Sequence, residues 1–151
     1  MKYLLDDPIK GTIGREKFRT AITWRNGELI TDEPKSLGGK DLGPDPYTLL
    51  LSSLVSCTLA TLRMYIEYKG LVIEKIDVEA NLFHRIENEQ TVLCIDRRIE
   101  IPDPTSTEVR NRLLRIAENC PISKILEGNI KIITEFKDEK LDSTGEIKAS
   151  V

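Results

Sequence analysis

The chain has 151 residues, of which 40% are hydrophobic and 31% are charged, and its formal net charge is −3. This length fits one domain with a substantial core. The acidic balance argues against a nucleic-acid-binding protein, which usually carries a basic surface. The apolar start at Met1–Leu5 is too short for a signal peptide, because Asp6 and Asp7 follow it. We therefore expect a cytoplasmic protein that binds neither nucleic acid nor a membrane.

The first predicted element is a β-hairpin. Residues Lys17–Trp24 alternate in polarity and are rich in β-favouring types, and Asn26-Gly27 is a strong signal for a two-residue turn. The return strand lies within Glu28–Pro34 and is closed by its proline. A loop rich in glycine and proline, Ser36–Pro46, then leads into the next element.

That element is a long helix, Leu49–Gly70, which is apolar on nearly all sides. Asp45 is its expected N-cap, Pro46 occupies the first helical position, and Lys69-Gly70 ends it. Arg63 and the charges beyond it argue against a membrane span. A helix that is apolar all round must be covered on all sides. One hairpin covers only one side, so the pattern suggests an identical partner subunit.

A second hairpin follows the long helix. Residues 72–85 alternate with period two, 87–90 form the turn, and Thr91–Ile101 return. Apolar residues fill one face of the returning strand, with Arg97 as an exception. Cys94 lies on the opposite, polar face, where we expect an incidental role.

Two helices and a last strand complete the pattern. One helix lies within 102–119, and its expected N-cap is Asp103, or Thr105 in a capping box with Glu108. A short helix opens at Pro121 and closes at Gly128, and residues 129–136 predict a final strand.

Antiparallel strand pairs separated by helices indicate an α+β fold. We expect a single domain over residues 1–151 with its core at about 16–136. The tail from residue 137 onward is polar, and its last residues, 146–151, are capable of adding an edge strand.

The possible metal-binding and thiol chemistry is limited by the few cysteines and histidines of the chain. There are three cysteines, Cys57, Cys94 and Cys120, and one histidine, His84. No close pair of ligands is present, so the sequence predicts no zinc site. In a reducing cytosol, a bond between two of the cysteines is expected to be transient and redox-active. Cys120 precedes Pro121 and is the expected N-cap of the short helix, where free backbone N–H groups favour a thiolate.

Cys57 lies in the middle of the long helix, and a reactive thiol there needs a nearby cation. Its helix neighbours Ser53 and Thr61 offer hydroxyls but no charge, and Arg63 points away from it. From composition alone, purely structural roles for the two cysteines stay open. Cys57 then packs as a small buried hydrophobe, and Cys120 is a cap without chemistry.

The segment "GGKDLGPDPYTLLLSSLVSCTLATLRMY", followed downstream by "NCPISKIL", resembles the OsmC/Ohr family of thiol-dependent hydroperoxide reductases, and its OsmC-like branch in particular. The likeness extends from about Phe18 to Phe136. It implies an OsmC-like fold: an intertwined homodimer whose long central helices are wrapped by antiparallel β-sheets.

The resemblance also implies a mechanism. Cys57 matches the peroxidatic cysteine and Cys120 the resolving one. The implied activity is reduction of organic hydroperoxides in oxidative-stress defence, through a Cys57 sulfenic acid that Cys120 converts to a disulfide. A dithiol reductant such as dihydrolipoamide, or a lipoyl protein, is the implied co-substrate, and no metal or other cofactor is required.

One departure bears on this assignment. Classical members carry a glutamate nine or ten residues before the peroxidatic cysteine, to position an activating arginine, and here those positions are Tyr47 and Thr48. Arg25, in "WRNG", resembles the turn that supplies that arginine and is our candidate for it. Asp45 is a candidate substitute for the glutamate. Two alternatives therefore stay open: a redox-sensing or ligand-binding module with little turnover, or another chemistry such as thioester handling by Cys57.

Overall fold

The structure is a computed structural model that describes residues 3–102 and 104–136. Antiparallel strands and helices make up an α+β fold in this part of the chain, as the sequence predicts. In chain order the elements are β1 (Lys10–Ile13), β2 (Thr20–Trp24), β3 (Gly27–Thr31), a 3₁₀ turn (Lys35–Leu37), α1 (Pro46–Tyr68), β4 (Asp77–Glu87), β5 (Gln90–Glu100), α2 (Thr107–Glu118) and α3 (Pro121–Glu127).

The first sheet contains the predicted hairpin and one strand more. Strands β1, β2 and β3 pair in that order and are antiparallel. Trp24 pairs with Gly27, so the turn consists of Arg25 and Asn26, one residue earlier than predicted. Strand β1 was not predicted, because its four residues show no alternation of polarity in the sequence. In the structure all four are exposed.

A buried carboxylate fixes the loop between this sheet and α1. Asp32 accepts hydrogen bonds from the backbone N–H groups of Glu33 (2.9 Å), Lys40 (2.9 Å) and Leu42 (3.3 Å). Burial alone would raise the pKa of Asp32, but these backbone donors outweigh it, and the pKa is lowered. At Gly43 a Cβ atom would lie 2.0 Å from the Ile30 carbonyl oxygen, so the loop packs this closely only with glycine there.

Helix α1 begins and ends as the sequence predicts. The Asp45 carboxylate accepts from the backbone N–H groups of Tyr47 (2.8 Å) and Thr48 (3.1 Å) and from the Thr48 hydroxyl (2.7 Å). Lys69 is the C-cap and Gly70 follows at φ 62°, a left-handed conformation that glycine adopts readily.

The core lies on one side of α1. Leu54, Thr58, Leu62 and Ile66, spaced four residues apart, are the buried residues of this helix. They form one face that packs toward β4, α2 and α3. The buried core cluster consists of Leu62, Ile66, Ile73, Ile101, Leu113 and Ala117.

The other side of α1 is not covered by the residues that the structure describes. Leu50, Met64 and Tyr68 are exposed, and only 22% of the most apolar stretch of the helix is buried. By length and composition α1 does meet the requirement for a membrane span, which corrects the expectation based on its charges. Its contacts with β4, α2 and α3 nevertheless identify it as the central helix of the fold.

The second sheet pairs β4 with β5 in the predicted hairpin. Glu87 pairs with Gln90 across a turn in which Asn88 and Glu89 have positive φ values of 49° and 65°. Ala80 pairs with Arg97, and the neighbouring pairs on this face are apolar. Arg97 therefore points in the same direction as the apolar row, toward the helices.

Two predictions about the C-terminal part are wrong. The Ser106 hydroxyl, rather than Thr105, caps α2, because it accepts from the Val109 N–H at 3.3 Å; Asp103 lies outside the described residues. Residues 129–136 form no strand, and Ile132 and Phe136 are 87% and 98% exposed. A strand requires a hydrogen-bonding neighbour, and these residues pair with none in the described part of the chain. The tail 137–151, with its predicted edge strand, lies outside the described residues.

Candidate functional site

Cys120 is the N-cap of α3, as the sequence predicts. Its backbone is extended, Pro121 occupies the first helical position, and its Sγ accepts from the Ser123 backbone N–H at 3.4 Å. The same sulfur lies 3.1 Å from the Ser123 hydroxyl and 3.8 Å from the Thr58 hydroxyl. Cys120 is 0% exposed, so this thiol is enclosed by its own chain.

Arg97 brings a positive charge to this thiol. Its Nη1 donates to the hydroxyls of Thr58 (2.9 Å) and Ser123 (2.8 Å) and lies 3.8 Å from the Cys120 Sγ. The three partners come from α1 and from the start of α3, whereas Arg97 projects from β5. We call these four residues, Thr58, Arg97, Cys120 and Ser123, the thiol cluster.

The thiol cluster favours the thiolate form of Cys120. Burial raises the pKa of this thiol, but hydrogen bonds from the Ser123 hydroxyl and backbone N–H, with smaller contributions from Thr58 and Cys57, outweigh it. The pKa of Cys120 is lowered from 9.0 to about 7. A substantial fraction of Cys120 is therefore ionised near neutral pH, and the adjacent guanidinium supports that charge.

The structure brings Cys57 to the same place. Cys57 precedes Thr58 on α1, is half-buried, and lies close enough to Cys120 to contribute to the lowering of that thiol's pKa. Both thiols are reduced in this structure. Ser53, whose hydroxyl lies one turn before Cys57 on α1, donates to the Leu50 carbonyl at 2.7 Å.

The remaining sequence candidates lie elsewhere. Arg25 is exposed in the β2–β3 turn, beside the N-terminal segment, and makes no hydrogen bond to Cys57 or Cys120 within residues 3–102 and 104–136. Arg63 donates to the Ile73 carbonyl at 2.7 Å and fixes the segment after α1. Cys94 lies on the outward face of β5, with its sulfur 3.9 Å from the Val92 carbonyl.

Tyr47 and Thr48, which stand where classical members of the resembled family carry glutamate, lie at the start of α1 beside its N-cap, Asp45. Tyr47 is exposed, and Thr48 donates its hydroxyl to Asp45. Hydrogen bonds from the Thr48 hydroxyl and backbone lower the pKa of Asp45, so its carboxylate is ionised and serves as the helix cap. In the described residues Asp45 forms no ion pair with an arginine.

Sequence reasoning missed three of the four members of the thiol cluster. Arg97 was visible as a charge in an apolar row, but the row alone does not show which group the guanidinium meets. Ser123 follows Cys120 by three residues, the spacing at which an N-cap meets the helix backbone. Thr58 follows Cys57 directly, and only its contacts with the Cys120 sulfur and the Arg97 guanidinium show that its hydroxyl lies in the cluster.

Comparison with known proteins identifies the fold around these thiols. The family model described as "OsmC-like protein" matches residues 38–135, which include Cys57, Arg97 and Cys120. The chain belongs to the OsmC-like family. The resemblance given by the two cysteine motifs is thereby confirmed, and so is the OsmC-like α+β fold.

Individual relatives are distant in sequence and similar in structure. The uncharacterised protein YmaD of Bacillus subtilis is 26% identical over 122 residues, which cover 75% of this chain and 81% of that protein. An organic hydroperoxide resistance protein of Elizabethkingia anophelis superimposes with a TM-score of 0.63 at 26% identity, covering 87% of this chain and 94% of the other. An osmotic stress and detoxification response protein of Psychrobacter arcticus reaches a TM-score of 0.67 at 21% identity, with coverages of 83% and 91%.

Cysteine, histidine and carboxylate side chains do not gather into a metal site in the described residues. No group of three or more such side chains lies close enough there to hold an ion.

Proposed function

We propose that this protein is a thiol-dependent peroxidase that reduces organic hydroperoxides. The observation that carries the proposal is the position of two free cysteines: Cys57 adjoins Thr58, whose hydroxyl lies 3.8 Å from the Cys120 sulfur, and Arg97 contacts that same sulfur. A half-buried thiol paired with a buried thiol that is partly ionised near pH 7 is suited to two-step disulfide chemistry. Membership of a family that includes organic hydroperoxide resistance proteins supports the same activity.

The proposed reaction begins at Cys57. Its thiolate attacks the distal oxygen of the hydroperoxide, the O–O bond breaks, and the alkoxide leaves as an alcohol after taking a proton from solvent. Cys57 becomes a sulfenic acid. The Cys120 thiolate then attacks the Cys57 sulfur, the S–S bond forms as the S–O bond breaks, and hydroxide leaves. A dithiol reduces the disulfide by two exchange steps and is itself oxidised to a cyclic or linear disulfide.

The surroundings of Cys57 favour an organic peroxide over hydrogen peroxide. The side of α1 that carries Cys57 is apolar along most of its length, and such a surface binds alkyl or aryl groups better than it binds water-like molecules. In competition between equal concentrations, we expect an organic hydroperoxide to be consumed first. Preferential consumption of hydrogen peroxide would reject this substrate class.

Peptide mass spectrometry after one equivalent of an organic hydroperoxide tests the proposal. The fully reduced protein is exposed for a few seconds, quenched with an alkylating reagent and digested. We expect a peptide pair linked through Cys57 and Cys120, which dihydrolipoamide separates again. Recovery of both residues as alkylated thiols, or oxidation confined to Cys94, would contradict it.

The working form that we propose is a cytoplasmic homodimer of a single domain spanning residues 1–151. The uncovered side of α1 and the exposed apolar residues of 129–136 support it, because both need a partner that the described residues do not provide. Arg25 reaches neither thiol within its own chain, so its activating role stays a prediction that requires the second subunit. Sedimentation equilibrium is expected to give twice the chain mass of 17.1 kDa; a monomer at micromolar concentration would reject the dimer.

A redox-sensing module is the second candidate, and one observation favours it. No carboxylate forms an ion pair with Arg97 in the described residues, and Tyr47 and Thr48 stand where classical members carry glutamate. A site without that carboxylate is expected to react more slowly. A sensor would form the Cys57–Cys120 disulfide once and keep it under a reductant that sustains turnover in a peroxidase.

A further inference from the structure

We propose that Arg97 is a positioning residue that holds Cys120 as a thiolate. It contributes its own charge and directs the Ser123 proton to the sulfur. The part played by this thiolate in turnover rests on the proposed peroxidase function. The ionisation of Cys120 does not, because it is a property of the reduced protein alone.

The hydrogen-bond directions in the thiol cluster support this role. An arginine has donors only, so the Ser123 and Thr58 hydroxyls must both accept from Arg97. Thr58 donates mainly to the Leu54 carbonyl at 2.7 Å, so its contact with the Cys120 sulfur at 3.8 Å is the weaker one. Ser123 has its proton left, and the Cys120 sulfur is 3.1 Å away. Arg97 thereby fixes Ser123 as a donor to sulfur, which favours the ionised thiol.

The charges around the cluster point to the same conclusion. The neighbouring carboxylates form ion pairs with other cations. Asp96 pairs with Arg98 at 2.9 Å, and Glu127 pairs with Lys124 at 3.6 Å. Arg97 is half-buried and has no carboxylate partner among the described residues. The ionisable group that its Nη1 contacts among the described residues is the Cys120 thiol, at 3.8 Å. A thiolate at Cys120 therefore supplies the anion that this guanidinium otherwise lacks.

Two steps of the proposed cycle use this thiolate. In resolution, the Cys120 thiolate is the nucleophile that forms the S–S bond with Cys57 and releases hydroxide. In reduction, a thiolate of the reductant bonds to the Cys57 sulfur, and the S–S electron pair leaves with Cys120. A thiol of lowered pKa leaves faster, so Arg97 assists this step as well. Cys120 is buried within its own chain, so Cys57 is the sulfur that the reductant attacks.

Titration of Cys120 as a single thiol tests the role directly. The background carries Cys57→Ser and Cys94→Ser, which leave Cys120 as the one cysteine of the chain. Ultraviolet absorbance of the thiolate is followed against pH, with the cysteine-free chain as blank. We expect Arg97→Gln to raise the midpoint by about one pH unit or more, and Arg97→Lys to restore much of the shift. Arg98→Gln, on the same strand and paired with Asp96, is the matched control and should leave the midpoint unchanged.

The outcomes separate this proposal from the peroxidase itself. An unchanged midpoint in Arg97→Gln, with native circular dichroism, would overturn the positioning role. If that variant fails to fold, Ser123→Ala replaces it, since it removes the same proton donor and is also expected to raise the midpoint; no rise there overturns the proposal too. A shifted midpoint together with no disulfide after peroxide in the wild-type chain would uphold Arg97 and reject the peroxidase.

Discussion

Cys57→Ser is expected to abolish peroxide turnover. A serine hydroxyl is neither ionised at neutral pH nor able to form a sulfenic acid, so the first bond to the peroxide oxygen cannot form. We expect a loss of roughly 10³-fold or more, down to the uncatalysed rate with dithiol. Consumption of an organic hydroperoxide in the presence of dihydrolipoamide is the measurement. The variant leaves Cys120, Arg97 and the buried face of α1 in place.

The matched control for this variant is Cys94→Ser. Cys94 lies on the outward face of β5, away from the thiol cluster, and the hydrogen bond of its sulfur is a long contact, 3.9 Å, with the Val92 carbonyl. We expect this variant to keep the wild-type rate. Turnover that survives Cys57→Ser but is lost in Cys94→Ser would show that the assignment of the reacting thiol is wrong.

Local sequence signals predicted the helices and the main hairpins well. The cap residue Asp45, the proline at Pro46 and the glycine at Gly70 set the limits of α1, because each acts on its own turn of backbone. Cys120 as the N-cap of α3 is a prediction of the same kind. Such local signals can be interpreted without knowing the tertiary packing of the chain.

The errors occur where the outcome depends on distant parts of the chain. Residues 129–136 alternate like a strand, but a strand exists only where another edge pairs with it. Ser106 competes with Thr105 for the same cap, and the choice depends on how the chain enters α2. Strand β1 forms because β2 offers an edge, although its own four residues carry little signal.

The composition of the candidate site shows the same limit. Motif resemblance found both cysteines and assigned the activating arginine to Arg25, by analogy with a turn. Among the described residues, the arginine that contacts the Cys120 thiol is Arg97, which the register of β4 and β5 turns toward α1 and α3. Its charge favours ionisation of the buried thiol, Cys120, and thus differs from the classical arrangement in which an arginine serves the peroxidatic thiol.

The positive charge of Arg97 beside Cys120, the proposed resolving thiol, affects the expected rate of disulfide formation. The Cys120 thiolate is present in quantity near pH 7, so disulfide formation after oxidation of Cys57 is expected to be fast. Rapid resolution protects Cys57 from oxidation beyond the sulfenic acid. A chain without the family glutamate is therefore expected to be limited by its first step, the attack on peroxide.

Cys120→Ser is expected to reduce one equivalent of hydroperoxide and then stop. Cys57 still forms its sulfenic acid, but no thiol adjoins it to make the disulfide that the dithiol reduces. Stopped-flow measurement should show a first oxidation close to the wild-type rate, followed by loss of steady-state turnover. In a Cys94→Ser background, a sulfenic-acid trap such as dimedone should label Cys57 in this variant and not in the parent chain. Excess peroxide should convert the unprotected Cys57 to sulfinic acid.

The lowered pKa of Cys120 also predicts how the rate of disulfide formation in the parent chain changes with pH. The pKa of Cys120 is lowered to about 7, so the resolving thiolate is depleted as pH falls below 7 and is nearly complete by pH 9. The rate of disulfide formation after a single oxidation should therefore fall as pH decreases through 7, in the chain that carries Cys120. The Cys120→Ser variant has no such step and should form no intramolecular disulfide with Cys57 at any pH in this range. Full steady-state turnover in Cys120→Ser would mean that the dithiol reduces the sulfenic acid directly and that Cys120 is not the resolving thiol.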